Sequence, residues 1–143
     1  MVTMVKMRLM LVDDEVDFLE SMTRPLQRRG YSILTATSGE ECLRRLADEL
    51  VHVVILDVKM PGMDGVETLR RIKQQFPMVE VIMLTGHGTV ESAVEGLKAG
   101  STDYLMKPAD VDDLVARAER AFQRRLELEQ KIQMVEALKK SSI

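Results

Sequence analysis

The fifteen residues from Val51 to Gly65, VHVVILDVKMPGMDG, constrain the fold more than any other stretch of the chain. They open with a short, nearly continuous apolar run rich in β-branched residues, which is typical of a strand buried on both faces in a parallel sheet. The run ends at Asp57, and the turn residues Met60-Pro61-Gly62 and Asp64-Gly65 follow. A carboxylate thus emerges directly from a buried strand. In open α/β sheets, this carboxyl edge is where ligands bind.

The rest of the chain alternates strand and helix patterns around this stretch. We predict strands over Met7–Val12, Tyr31–Thr37, Val51–Leu56, Val79–Leu84 and Thr102–Met106, and helices over Glu15–Arg29, Ser38–Leu50, Gly65–Phe76, Thr89–Ala99 and from about Asp110 to Lys140. Five rounds of strand then helix indicate an α/β fold with a parallel sheet and helices on both faces. Right-handed crossovers leave few topologies, and the flavodoxin-like strand order 2-1-3-4-5 is the leading one.

Three local patterns give more specific predictions. Ser38 and Glu41 have the spacing of a capping box at a helix start. Pro25 removes one backbone donor and is expected to kink the first helix. In the helix from Thr89 to Ala99, we expect the apolar residues at helical spacing to face inward, namely Val90, Ala93, Val94 and Leu97.

Composition excludes several classes of function. The net charge of −3 argues against non-specific nucleic-acid binding, which needs a basic face. Cys42 is the single cysteine, so no internal disulfide forms, and its helical spacing with Leu43 and Leu46 places it in the core. The first ten residues have no signal-peptide core, and no stretch has the ~18 apolar residues of a membrane span. We therefore expect a single cytoplasmic domain without direct contact to nucleic acid or membrane.

Polar side chains follow four of the five predicted strands. Asp13-Asp14 follows the first, Asp57 the third, Thr85 the fourth and Lys107 the fifth. Since parallel strands end at one edge, we expect these groups to converge, and three carboxylates together would repel unless a cation joined them. Mg²⁺ prefers such oxygen ligands, and with a lysine and a hydroxyl it suits a phosphoryl group. A carboxylate can itself accept that group.

Four motifs in this order, LVDDE, VILDVKMPGMDG, MLTGHG and DYLMKP, carry a family resemblance. Over about Met7 to Phe122, the chain resembles the receiver domain of a two-component response regulator. The resemblance implies a phosphorylation-dependent signalling switch rather than an enzyme, with only self-phosphoryl transfer and slow autodephosphorylation expected. It also implies a sensor histidine kinase as the phosphoryl donor and Mg²⁺ as the cofactor.

The resemblance assigns roles at the strand ends. Asp57 would be the nucleophile that becomes phosphorylated. Asp14 would ligate Mg²⁺ directly, Asp13 would act mainly through a metal-bound water, and the backbone carbonyl of Lys59 would complete the protein's share of the coordination. Lys107 would pair with the phosphoryl oxygens, and its peptide bond to the following proline is expected to be cis.

Four further assignments concern switching and the lifetime of the phosphoryl group. Thr85 would move toward the phosphoryl group, and the rotamer of Tyr104 would follow. Lys59 and His87 occupy positions that tune the lifetime in the family, and a lysine and a histidine there predict a lifetime of minutes or longer.

The last helix is expected to extend beyond the receiver. We assign 1–122 to the receiver and 123–143 to a helical extension in which Leu128, Ile132, Val135 and either Leu138 or Lys139 continue a coiled-coil-like spacing. The stretch holds fewer than the three or four heptads of a firm coiled coil, so a solvated helix end is the alternative. The segment from MLTGHG through AVEGLKAG most resembles receivers that precede transcriptional output modules, so the chain is either part of a larger regulator or a single-domain receiver. The usual family homodimer uses the Thr89–Ala99 helix, the fifth strand and the last helix, with the C-terminal helix as the other candidate.

Two rival functions belong to other classes. A phosphatase with an aspartate nucleophile usually carries a second aspartate two residues later, whereas Asp57 is followed by Val58-Lys59. A receiver-like interaction module that never takes phosphate would lack Asp57, Lys107 or the acid pair, and none of these is missing.

Overall fold

The structure, a computed structural model, describes residues 6–86 and 89–141. Five strands and five helices alternate along the described chain. Their bounds are β1 Arg8–Val12, α1 Val16–Arg28, β2 Ser32–Ala36, α2 Gly39–Asp48, β3 Val53–Leu56, α3 Gly65–Gln75, β4 Glu80–Thr85, α4 Val90–Lys98, β5 Asp103–Met106 and α5 Val111–Ser141. Every predicted element is present, with its ends shifted by only a few residues.

All four pairings of neighbouring strands are parallel, and the strand order is β2-β1-β3-β4-β5. This confirms the predicted flavodoxin-like order. β1 pairs with both β2 and β3, so the chain reverses its direction of growth beside β1. Such a reversal opens a crevice at the carboxyl ends of the strands flanking it.

The sheet is covered on both faces by separate hydrophobic clusters. One cluster joins alternate strand residues such as Met10, Val54 and Met83 with α2 and α3. The other joins the intervening residues, such as Leu9 and Ile55, with α1 and α5. This two-sided burial explains why β3 is a continuous apolar run, because neither of its faces meets water.

The prediction for the start of α2 needs correction in detail. Ser38 caps α2 as expected, and its side chain accepts a hydrogen bond from the backbone N–H of Glu41 at 3.1 Å. The carboxylate of Glu41, however, accepts from the N–H of Thr37 at 3.3 Å rather than from Ser38, so the reciprocal half of the capping box is displaced by one residue. α1 continues through Pro25 to Arg28, with Leu19, Met22 and Leu26 buried, and the kink expected at Pro25 stays a prediction.

The prediction for the inward face of α4 was wrong for its three large apolar residues, whereas Ala93 is half-buried. Val90 is 81% exposed, and Val94 and Leu97 are also exposed. Gly96 is the one buried residue of this helix. A Cβ at Gly96 would lie 3.5 Å from the side chain of Met83 and 3.9 Å from the ring of Tyr104. The helix therefore meets the sheet through its smallest residue, and its large apolar side chains face outward.

α5 is by far the longest helix, and its 31 residues span about 46 Å at 1.5 Å per residue. Its first half packs on the sheet through Leu114, Ala118 and Phe122. Arg125 then donates from Nη1 to the carbonyl of Val51 at 3.0 Å and from Nε to Glu129 at 2.8 Å. Further along the helix, five large apolar residues are exposed, namely Leu128, Ile132, Met134, Val135 and Leu138.

Candidate functional site

Parallel pairing places two aspartates side by side at the carboxyl edge. Val12 at the end of β1 is in register with Leu56 at the end of β3, so Asp13 and Asp57 follow neighbouring strand ends. The backbone N–H of Asp57 donates to the carbonyl of Val12 at 2.9 Å, and the N–H of Asp13 donates to Ala36 at 3.1 Å. The sheet itself therefore fixes where both carboxylates begin.

Asp13, Asp14 and Asp57 form a cluster of carboxylates. One oxygen from each lies within 4.8 Å of the other two. Asp13 is 2% exposed and Asp57 is 5% exposed, whereas Asp14 faces solvent. Two buried like charges at this separation repel strongly, because little water screens them.

The pKa of Asp57 is raised to about 6. Burial is the largest cause and the charge of Asp13 the second, whereas Lys107 and hydrogen bonding with Thr85 oppose the shift. Within the described part of the chain, Oδ1 of Asp57 is buried without a hydrogen-bond partner. A buried carboxylate oxygen without a partner is costly, so this atom is a candidate for binding a ligand.

Lys107 supplies the compensating charge in this structure. Its Nζ lies 2.5 Å from Oδ2 of Asp13 and 4.0 Å from the carboxylate of Glu15. The same ammonium lies 4.1 Å from the centre of the Phe18 ring. The peptide bond from Lys107 to Pro108 is cis, which confirms that prediction. Sequence reasoning missed Phe18, whose helical spacing predicts only a core position.

Thr85 and Tyr104 lie on one face of the sheet near the cluster. Thr85 ends β4 and is fully buried, and its carbonyl accepts from the N–H of Lys107 at 2.8 Å. Met83 is the register partner of Tyr104, so Thr85, two residues further along β4, is the diagonal neighbour of Tyr104 on the same face. The hydroxyl of Tyr104 lies 3.1 Å from Oγ of Ser92 on α4, a contact that no pattern in the sequence predicts.

The loop between β3 and α3 packs closely against the backbone of Asp57 and Val58. The N–H of Gly65 donates to the carbonyl of Val58 at 2.7 Å. A Cβ at Gly65 would collide with the carbonyl oxygen of Asp57 and the backbone of Val58. Lys59 is exposed in this loop, two residues after Asp57. The other residue expected to tune the phosphoryl lifetime, His87, lies outside the described residues.

Comparison with known proteins identifies the class. The response regulator receiver domain family matches residues 9–119, and the chain belongs to this family. It is 38% identical over 114 residues to the transcriptional regulatory protein ZraR of Escherichia coli (strain K12), covering 80% of this chain and 26% of that protein. It is 40% identical over 112 residues to the DNA-binding transcriptional regulator NtrC of the same strain, covering 78% and 24%. The chain thus spans about a quarter of the length of these curated relatives.

Solved structures show the same class. The receiver domain of NtrX from Brucella abortus aligns with a TM-score of 0.76 at 35% identity, covering 80% of this chain and 98% of that one. A CheY-like receiver domain protein from Methanospirillum hungatei JF-1 aligns with a TM-score of 0.82 at 29% identity, covering 86% and 98%. In residues 6–86 and 89–141, no helix is both long and apolar enough to cross a membrane.

Proposed function

We propose that this chain is a signalling switch that accepts a phosphoryl group on Asp57 from the phosphohistidine of a sensor kinase in a Mg²⁺-dependent reaction. One observation carries the proposal: three carboxylates, Asp13, Asp14 and Asp57, meet within 4.8 Å at the carboxyl edge of the sheet. Lys107 and Thr85 lie at the same edge, where the two neighbouring strands end. Together these groups provide a nucleophile and the partners that a phosphoryl group requires.

In the proposed transfer, a carboxylate oxygen of Asp57 bonds to phosphorus as the phosphorus–nitrogen bond of the phosphohistidine breaks. The electron pair stays with the imidazole nitrogen, which takes a proton from solvent. Asp57 must be ionised to attack, and burial with Asp13 raises its pKa to about 6. Oδ1, which has no hydrogen-bond partner among the described residues, is the atom with unused acceptor capacity.

The donor set fits Mg²⁺, because hard carboxylate oxygens converge and Asp57 keeps a buried oxygen without a partner. Asp14 would be the direct ligand, Asp13 would act through a metal-bound water, and the carbonyl of Lys59 would complete the set together with Asp57. When bound, the metal supplies positive charge that offsets the repulsion among the carboxylates and the phosphoryl oxygens.

Lys107 and Thr85 would respond to the phosphoryl group. Lys107 neutralises Asp13 before phosphorylation and would turn its ammonium toward the phosphoryl oxygens afterwards. Thr85 would donate its hydroxyl to the same oxygens, and the ring of Tyr104, its diagonal neighbour, would change rotamer in response. The affected region would include α4 and β5, which carry the proposed output face.

Partners follow from the proposed switch. A sensor histidine kinase would be the donor, and the chain would form a homodimer through α4, β5 and α5 or through the C-terminal part of α5. We assign 1–122 to the receiver and 123–143 to a helical linker toward an output module that regulates transcription. The relatives named as transcriptional regulators support this output. Such a switch acts in the cytoplasm, and nucleic-acid contact would belong to the output module.

The phosphoryl group is expected to persist for minutes or longer. Lys59 is exposed beside the site and can shield the phosphoryl charge from water, and His87 can hydrogen-bond to it. The decay of the phosphorylated protein measures this lifetime, and loss within a few seconds would contradict it.

Intact mass after incubation with acetyl phosphate tests the proposed chemistry. We expect a gain of one phosphoryl group that requires Mg²⁺ and is absent in the nearly isosteric Asp57→Asn variant. No gain with either protein would contradict phospho-acceptance and favour an inert binding module. Steady phosphate release from varied esters would favour the rival phosphatase instead.

A further inference from the structure

We propose that Ser92 is a positioning residue for the switch: its hydroxyl anchors Tyr104 to the first turn of α4 while the site is unphosphorylated. This inference rests on the proposed function and identifies a contact that would link the phosphorylation site to α4. Tyr104 lies on the sheet face shared with Thr85, and a side-chain hydrogen bond joins it to Ser92 at the start of α4. The anchor therefore joins the proposed site to the proposed output face.

The hydroxyl of Ser92 lies at the centre of a small hydrogen-bond network. Oγ of Ser92 donates to the carbonyl of Thr89 at 3.0 Å and accepts from the backbone N–H of Thr89 at 2.9 Å. Oγ1 of Thr89 also donates to this oxygen at 3.2 Å. The hydroxyl of Tyr104 lies 3.1 Å from it, with a geometry that allows either hydroxyl to be the donor. Tyr104 therefore shares the Ser92 hydroxyl with Thr89.

Ser92 has a second task, because it is also part of the helix cap. The side chain of Thr89 accepts from the N–H of Ser92 at 3.0 Å, and together the two residues form a capping box at the start of α4. One hydroxyl therefore holds both the first turn of the helix and the ring of Tyr104. A change in the rotamer of Tyr104 removes a hydrogen bond from the group that caps α4.

Because α4 packs loosely on the sheet, the contact between Ser92 and Tyr104 can affect the position of the helix. The helix buries only Gly96, and a Cβ there would lie 3.9 Å from the ring of Tyr104. Val90, Val94 and Leu97 point outward, so they contribute little to holding the helix on the sheet. A helix with so small a buried face depends more on its few specific contacts, and those contacts can shift its equilibrium.

Thermodynamic linkage predicts whether loss of the anchor raises or lowers the affinity for a phosphoryl mimic. If the anchor stabilises only the unphosphorylated state, its removal raises the affinity for a ligand that binds the switched state. The probe is beryllofluoride with Mg²⁺, a stable mimic of the phosphoryl group, with the dissociation constant measured by calorimetry. We expect Ser92→Ala to bind beryllofluoride about two- to ten-fold more tightly than the wild-type chain, as the loss of one hydrogen bond predicts.

Two controls separate the anchor from the helix cap. Ser92→Thr keeps the hydroxyl and should retain wild-type affinity. In the Tyr104→Phe background the anchor is already lost, so adding Ser92→Ala should change the affinity no further, although it still removes part of the capping box.

Each outcome is decisive. Equal affinity of Ser92→Ala and wild type would overturn the anchor, as would an effect of Ser92→Ala that persists in the Tyr104→Phe background. Failure of Ser92→Thr to retain wild-type affinity would overturn it as well. If the wild-type chain itself does not bind beryllofluoride with Mg²⁺, the proposed function fails first and the inference fails with it. The two failures are therefore distinguishable.

Discussion

At the scale of single residues, burial decides how the ionisable groups behave. Asp13 and Asp57 are both buried. Lys107 neutralises Asp13 in this structure, and in the proposed switch it would bind the phosphoryl group on Asp57. The strand pattern predicted that these groups would meet. It could not predict that Lys107 would pair with Asp13 or that Phe18 would lie under its ammonium, because both depend on side-chain rotamers chosen in the folded state.

His52 is a second buried group whose importance the sequence did not reveal. Its Nδ1 accepts from the backbone N–H of Arg8 at 2.9 Å, and its ring lies 4.8 Å from that of Phe122. Burial is the largest cause that lowers the pKa of His52, and the charges of Arg125 and Arg8 lower it further, although Glu129 opposes them. The folded state therefore prefers the neutral imidazole.

This preference predicts a pH dependence of stability. Because the pKa is lowered on folding, the unfolded chain binds more protons, so the stabilisation is present above the ordinary pKa of about 6.5 and is lost as the pH falls through it. His52→Asn keeps an acceptor near the N–H of Arg8 but cannot titrate. We expect its urea midpoint to fall less than that of the wild type between about pH 7.5 and pH 5.5.

His87, the other histidine of the chain, provides the matched control. If His52 causes the loss of stability at low pH, the urea midpoint of the His87→Asn variant should fall with pH as steeply as that of the wild type. Parallel curves for the wild type and the His52→Asn variant would show that His52 does not cause the loss.

At the scale of elements, the loop after β3 and the start of α3 are held by a close approach of backbones. Gly65→Ala would place a methyl group against the carbonyl oxygen of Asp57 and the backbone of Val58, which cannot yield as a flexible side chain can. We expect a loss of about 1–3 kcal/mol in the free energy of unfolding, measured with urea. A change this close to Asp57 should also slow its phosphorylation.

Gly96→Ala is the contrasting substitution. Its Cβ would meet Met83 at 3.5 Å, an ordinary contact, and its backbone is helical. Alanine is favoured over glycine inside a helix by about 0.8–1.0 kcal/mol, so this variant should be neutral or stabilising. Equal destabilisation by both substitutions would contradict the difference in local geometry.

Elements also show why part of the fold was predictable. The strand order followed from five apolar runs separated by helical periods, because such patterns leave few right-handed arrangements. The inward face of α4 was mispredicted for a physical reason. Periodicity identified the apolar stripe of Val90, Val94 and Leu97, but it could not show which side of the helix meets the sheet. In the structure Gly96 lies against Met83 and the ring of Tyr104, so the stripe faces away.

At the scale of the whole molecule, the exposed stripe on α5 predicts self-association. Leu128, Ile132 and Val135 follow one another at intervals of four and three and remain exposed beyond Arg125. A second copy of the chain would cover them as a coiled coil. We expect the mass measured by sedimentation to approach that of a dimer when beryllofluoride and Mg²⁺ are added, and Ile132→Glu to reduce the dimer fraction.

Met134→Glu is the control for that substitution. Met134 is more exposed than Ile132, at 65% against 42%, but it lies off the stripe. Its replacement should leave the dimer fraction unchanged. A wild-type chain that stays monomeric with and without the mimic, or equal effects of both substitutions, would contradict dimerisation through this stripe.

The most direct test of phospho-acceptance locates the modified residue. The chain is incubated with acetyl phosphate and Mg²⁺, the acyl phosphate is reduced with borohydride, and the peptides are sequenced by mass spectrometry. The proposed chemistry predicts homoserine at position 57 and none at Asp13 or Asp14, since the Asp57 oxygen alone is buried at the cluster without a partner among the described residues. Reduction at another aspartate, or at none while the chain remains folded, would contradict Asp57 as the phosphoryl acceptor.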